Sequence, residues 1–151
     1  MKTILFIAGV FLFITCKNQS GTHDIKRIPL NGTWKLLSGT LIEKGDTTTT
    51  DYTTGKSFIK IINEDHFAFV LHDLTHGRDS ATAVYSSGAG RYTLDKDQYT
   101  EHLEYCSDRE WEAHDFSFTI TIRGDTLIQR GYEKVDSAGI NRLNIEKYIK
   151  L

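Results

Sequence analysis

The sequence predicts an all-β domain, an eight-stranded antiparallel up-and-down barrel. Three observations carry this. Short runs rich in Thr, Ile, Phe and Tyr recur from Gly32 to the C-terminus, separated by Gly, Asp and Asn clusters. Beyond residue 30 no stretch keeps a 3.6-residue apolar period over the length a helix needs. Most connections between the runs are of hairpin length, which sets successive strands side by side and antiparallel. At 151 residues the chain has room for one domain. Its 18 basic and 20 acidic residues are mixed along the length, so there is no broad basic surface, and nucleic acid is not an expected partner.

The chain opens MKTILFIAGVFLFITCKNQS, with one early lysine and an apolar run from Ile4 to Ile14. That run falls short of the roughly 20 residues of a membrane-spanning helix and reads as a secretion signal. Phe13-Ile14-Thr15-Cys16 resembles the lipobox of bacterial lipoproteins, in which the cysteine is lipidated and becomes the first mature residue; Thr15 stands where Gly, Ala or Ser is commoner. The expected organisation is a lipoprotein signal peptide over 1–15, lipidated Cys16 with a polar tether over 16–30, and the barrel over 31–151. A plain secreted protein and an uncleaved anchor are the alternatives. Loss of Lys2 with the signal would leave 17 basic against 20 acidic residues. Charge would then not draw the domain to anionic lipid, and the acyl chains would be the anchor. Cys106 would be the only remaining thiol, leaving no intramolecular disulfide.

Eight runs follow as candidate strands: GTWKLLSGTLIE, KSFIKII, HFAFVLH, GRYTL, QYTEHLEY, FSFTITI, TLIQRGYE and NRLNIEKYIKL. INEDHF, LDKDQ and IRGDTL read as hairpins, and GDTTTTDYTTG, DLTHGRDSATAVYSSG and CSDREWEAHD as longer links. Such a meander closes its own edges and can hold one small ligand; a two-sheet sandwich is the competing architecture. Arg123-Gly124-Asp125 is a hairpin turn, and Asn31-Gly32-Thr33 leads into the first strand rather than marking a glycan.

The stretch YTEHLEYC crowds two glutamates, a histidine and a cysteine into eight positions. On a strand it divides: Tyr99, Glu101, Leu103 and Tyr105 share the more apolar face, and Thr100, His102, Glu104 and Cys106 the other. The second face offers too few ligands for zinc, which takes three or four. A turn at Asp95-Lys96 would pair Tyr92 with Tyr99 and Gly90 with Glu101. A turn at Gly124-Asp125 would pair Ile122 with Leu127, Ile120 with Gln129 and Phe118 with Gly131. Glu101 and Gln129 thus become interior polar groups that must meet an interior cation, a ligand or water. In LNIEKYIKL, Asn144, Glu146 and Tyr148 alternate with Leu143, Ile145 and Ile149, and either face could be the inner one. His72 and His76 read as turn residues rather than a metal pair, and Trp111 in its acidic loop reads as a partner contact or a lid over one barrel mouth.

Gly32-Thr33-Trp34-Lys35-Leu36, then Phe58-Ile59-Lys60-Ile61, Gly88-Ala89-Gly90-Arg91-Tyr92-Thr93, Tyr99-Thr100-Glu101, Gly124-Asp125-Thr126 with Gln129, and Ile145-Glu146-Lys147-Tyr148 together resemble the lipocalin-like (calycin) domain of short bacterial secreted proteins and lipoproteins. The resemblance covers nearly all of residues 31–151. It implies an eight-stranded barrel with an interior cavity and no established enzymatic activity, with Trp34, Tyr92, Tyr99, Glu101, Gln129 and Glu146 at matching positions. The interior pattern adds Phe118 and Tyr148 as ligand-binding candidates. The chain lacks Gly-x-Ser-x-Gly and HExxH, so no catalytic residue, metal or cofactor is expected. The expected protein is a non-enzymatic, periplasm-facing envelope protein held to the membrane through Cys16 and binding a small amphipathic ligand. A packed interior would instead favour a module that docks or inhibits an envelope protein through its loops, and a hydrolase or metal enzyme is the third alternative.

Overall fold

The computed structural model describes residues 28–151. The expected signal peptide, Cys16 and nearly all of the tether lie outside the described residues. Nine strands run in chain order: β1 (Gly32–Glu43), β2 (Asp46–Asp51), β3 (Lys56–Ile62), β4 (His66–Asp73), β5 (Tyr85–Asp95), β6 (Gln98–Cys106), β7 (His114–Arg123), β8 (Thr126–Val135) and β9 (Ile140–Lys150). β1 and β3 to β9 pair antiparallel in sequence, and β9 returns to β1, so eight strands close into a barrel.

β2 is an extra strand within a segment expected to be a loop. It pairs with the second half of β1, from Ser38↔Asp51 to Glu43↔Asp46, whereas β3 pairs with the first half, from Gly32↔Ile62 to Lys35↔Ile59. Its sequence, DTTTTD, has no apolar alternation to announce a strand. β-Branched threonines nevertheless suit extended backbone, and the Thr40 and Thr49 hydroxyls bond across the pair at 3.0 Å. β5 also starts earlier than the run GRYTL, at Tyr85, which shortens the link from β4.

The hairpin at Gly124–Asp125 has the register expected of it, with Phe118↔Gly131, Ile120↔Gln129 and Ile122↔Leu127. Gly124 supplies the left-handed backbone of that turn, φ 57°. The β5–β6 turn differs from expectation. It lies at Lys96–Asp97 rather than Asp95–Lys96, so Tyr92 opposes Glu101 and Leu94 opposes Tyr99. Gln98 is held in the strand by its pairing with Asp95 and by its amide bond to Thr119 Oγ1 at 3.0 Å, which moves the turn one residue on. Sliding the turn by one residue moves the pairing by two, so the faces survive although the partners change.

Two bulges do change faces. Between Ala89 and Gly90 the register of β5 against β6 shifts, because β6 carries an extra residue at Glu104. Tyr105, expected inward, is therefore exposed (66%), and Cys106, expected outward beside His102 and Glu104, turns towards the interior. Gly90 permits the close approach, since a Cβ there would run into the His102 carbonyl oxygen. On β1 the register against β9 shifts between Leu36 and Ser38, so the inward series passes from Trp34 and Leu36 to Gly39 and Leu41.

Strand direction divides the interior into two ends. At one end the starts of β1, β4, β6 and β8 meet the ends of β3, β5, β7 and β9, and Trp34, Leu36, Ile62, Phe67, Tyr99, Ile120, Leu127 and Tyr148 pack solidly. The core reaches back to Leu30, whose carbonyl accepts the buried Trp34 indole N–H at 2.8 Å. The opposite end is not filled.

Candidate functional site

That unfilled end is a cavity of about 320 Å³. Small side chains or none at Gly39, Thr50 and Ser86 leave the space, and Tyr52, Phe58, Phe69, Phe116 and Phe118 supply aromatic wall. Phe58 stacks on Phe69 with centroids 5.5 Å apart, and Tyr52 meets Phe58 edge-on at 6.0 Å. The acidic link between β6 and β7 forms a short 3₁₀ turn, Arg109–Trp111, whose N-cap Asp108 accepts from the Glu110 N–H. It lays Trp111 against Phe116 at 5.6 Å, among the residues that line the cavity.

The floor is polar. β3 turns Phe58, Lys60 and Ile62 inward, and Lys60 lies opposite Trp34 on one side and Phe69 on the other. Its ammonium donates to Glu101 Oε1 at 2.6 Å and to Gln129 Oε1 at 3.3 Å, with Phe67 and Tyr148 ring centroids 5.8 and 5.5 Å away. The ion pair is buried, Lys60 at 2% and Glu101 at 6% exposure. Burial alone would pull the Lys60 pKa down, but Glu101, Glu146 and Glu133 more than reverse it, and it stands above the ordinary lysine value. Of the partners open to Glu101, then, an interior cation is the one it meets.

Nearer the mouth, Glu133 of β8 accepts from Arg142 Nε at 2.8 Å and from Asn144 Nδ2 at 2.7 Å. Burial holds the Glu133 carboxyl above its ordinary value, with Glu146 adding to the effect and Arg142 opposing it. β9 turns its polar face inward, and Glu146 accepts from the Tyr148 hydroxyl at 2.7 Å. The Tyr148 phenol is pushed well up, by burial first and the Glu146 charge second. Tyr99 is fully buried, and its hydroxyl has no hydrogen-bond partner among the described residues; burial and then the Glu101 charge raise its pKa far above the tyrosine range.

Glu101, Phe118, Gln129 and Glu146 of the eight expected binding residues line the cavity. The other four belong to the packed end. Trp34, Tyr99 and Tyr148 are fully buried beneath the floor. Tyr92 meets Tyr99 at a tilt, with centroids 5.1 Å apart, and donates to the Asn63 carbonyl at 2.7 Å, tying down the β3–β4 turn. Lys60, Glu133, Arg142 and the aromatic pair Tyr52 and Phe58 join the site without having been expected there, Phe58 and Lys60 having entered only as part of the lipocalin-like resemblance. Lys60 was within reach, since Phe58-x-Lys60-x-Ile62 shares one face; Tyr52 belongs to no run.

The outer face of β6 is occupied by surface pairs, His102 with Asp115 at 2.8 Å and Glu104 with Arg91 at 2.7 Å. Among the described residues no three His, Cys, Asp or Glu side chains gather as a metal-ligand set. Cys106 is a free thiol at the cavity whose pKa is raised by burial. Asp73 accepts from the Thr75 hydroxyl and from the Gly77 (2.9 Å) and Val84 (3.2 Å) N–H groups, so it organises the turn that carries His76. These bonds, led by the Thr75 hydroxyl, hold its carboxyl well below the usual range.

Fold and site together define a closed antiparallel β-barrel with a lined cavity at one end. No family model matches the chain, and no curated protein matches it. Among solved structures it is similar to an uncharacterized protein from Bacteroides eggerthii DSM 20697, with 13% identity over 80% of this chain and 98% of that one, at a TM-score of 0.48.

Proposed function

We propose that the protein is a lipocalin-like, lipid-anchored barrel of the bacterial cell envelope that binds a small amphipathic ligand without transforming it. The cavity carries this reading: about 320 Å³, with aromatic walls above a polar floor, is within the size and chemistry of small-molecule sites. A docking module would have no need of such a space. The pairing of Lys60 with Glu101 and of Arg142 with Glu133 supports a binding role, because the two pairs hold the polar lining of the cavity in place. The anchor and the periplasm-facing location rest on Phe13-Ile14-Thr15-Cys16 and the polar residues after it.

Phenylnaphthylamine, a neutral apolar fluorophore, tests the cavity. It should brighten on binding the wild-type domain and lose that response in Ser86→Trp, which fills the cavity from β5; an equal response from both proteins would count against the site. For the anchor, Cys16→Ser should move the protein from the membrane to the soluble fraction and abolish incorporation of labelled fatty acid.

A further inference from the structure

The cavity's charges do not balance. Two cations, Lys60 and Arg142, face four carboxylates, Glu101, Asp108, Glu133 and Glu146. Lys60 is committed to Glu101 at 2.6 Å and Arg142 to Glu133 at 2.8 Å. Asp108 is exposed at the mouth and caps the 3₁₀ turn. Glu146 is the carboxylate left inside with no ion-pair partner among the described residues, where its one side-chain bond comes from the neutral Tyr148 hydroxyl.

The space beside Glu146 is shaped by the same strand pairings. Glu146 lies opposite Gly39 on β1 and Gln129 on β8. Gly39 contributes no side chain, and the Tyr52 ring covers it, near enough that a Cβ would lie 3.3 Å from the ring. Tyr52 in turn meets Phe58, and Phe58 lies 6.2 Å from Tyr148, the residue bonded to Glu146. A carboxylate with no direct ion pair among the described residues thus stands beside an aromatic wall. One ring of that wall already attracts a cation, since the Lys56 ammonium sits 5.5 Å from the Tyr52 centroid. Carboxylate and ring faces favour the same ligand charge, and the low dielectric of a barrel interior strengthens both. An anionic headgroup would meet Glu146 and the floor carboxylates without a free cation among the described cavity residues.

From this we infer that the ligand bears a positive charge, an amine or quaternary ammonium on an apolar body, with its cationic end at Glu146 and the Tyr52–Phe58 wall. The inference deepens the ligand-binding reading and rests on it.

Three probes of equal chain length separate the possibilities: decyltrimethylammonium and decyl sulfate below their micelle concentrations and decanol below its solubility limit, each competing against phenylnaphthylamine on the intact domain. The ammonium should displace the dye at about a tenfold lower concentration than decanol, equivalent to about 1.4 kcal/mol, with the sulfate weakest. Glu146→Gln should remove that advantage while leaving decanol unchanged. Displacement by decanol or the sulfate as good as by the ammonium, in wild-type protein alone, would overturn the charge preference while sparing the binding site. If the dye does not bind, the binding-site reading fails and this inference falls with it.

Discussion

Lys60→Met keeps the length of the side chain and removes its charge from the floor of the cavity. The partner it leaves is Glu101, 6% exposed, 2.6 Å from the ammonium in the wild type and buried on the floor of the cavity. A buried pair need not stabilise relative to two apolar groups, because desolvating both charges offsets their attraction. Removing one member is different, for the other charge stays buried without compensation, at about 3–5 kcal/mol. Glu101 can lessen that penalty by taking up a proton, and Gln129 loses its 3.3 Å donor at the same time. At roughly 4 °C per kcal/mol for a domain of this size, the melting temperature should fall by about 12–20 °C. The double variant Lys60→Met/Glu101→Leu discards both charges and should recover to within about 1–2 kcal/mol of wild type. Thermal and urea unfolding followed by far-ultraviolet circular dichroism measure each difference. A single variant melting within about 2 °C of wild type, or a double variant no more stable than the single, would refute the reasoning.

Two further outcomes follow from the interior. The pKa values of Tyr99 and Tyr148 are raised above the ordinary 10.0, and that of Lys60 above 10.5, so the folded barrel holds protons that the unfolded chain releases. Their stabilising contribution is complete below the unfolded values and is lost as pH rises past them, so alkaline unfolding should begin above about pH 10, with the phenolate absorbance of these two tyrosines appearing only as the circular dichroism signal collapses. Gly90→Val should destabilise the domain by about 2 kcal/mol or more, because a Cβ there meets backbone that cannot move without undoing the bulge. Gly139→Ala makes a control, with open space around its Cβ and only the left-handed φ of 66° against it, at about 1 kcal/mol; equal losses in urea unfolding would show that the bulge imposes no special constraint.

The faces of the strands are local properties of the chain. A side chain's direction along a strand alternates with period two whatever the partner, so Phe118, Glu101 and Gln129 could be assigned inward from spacing alone, and the Gly124–Asp125 turn fixed one register outright. Where the chain inserts one residue, that logic fails: the bulges near Leu37 and Glu104 reverse the series beyond them, exchanging Tyr105 for Cys106. Nothing in HLEYC marks the extra residue, because the bulge is required by the neighbouring strand, where Gly90 lets backbone approach backbone. The division into a packed end and a cavity lies further still from the sequence. It depends on closure through the β1–β9 pairing, which brings side chains 41 and 69 positions from Lys60 to its ammonium and separates Tyr99 from the cavity although Glu101, two residues on, lines it. A strand's own residues set which way each side chain points; only the closed barrel sets what each one meets and how much space is left between them.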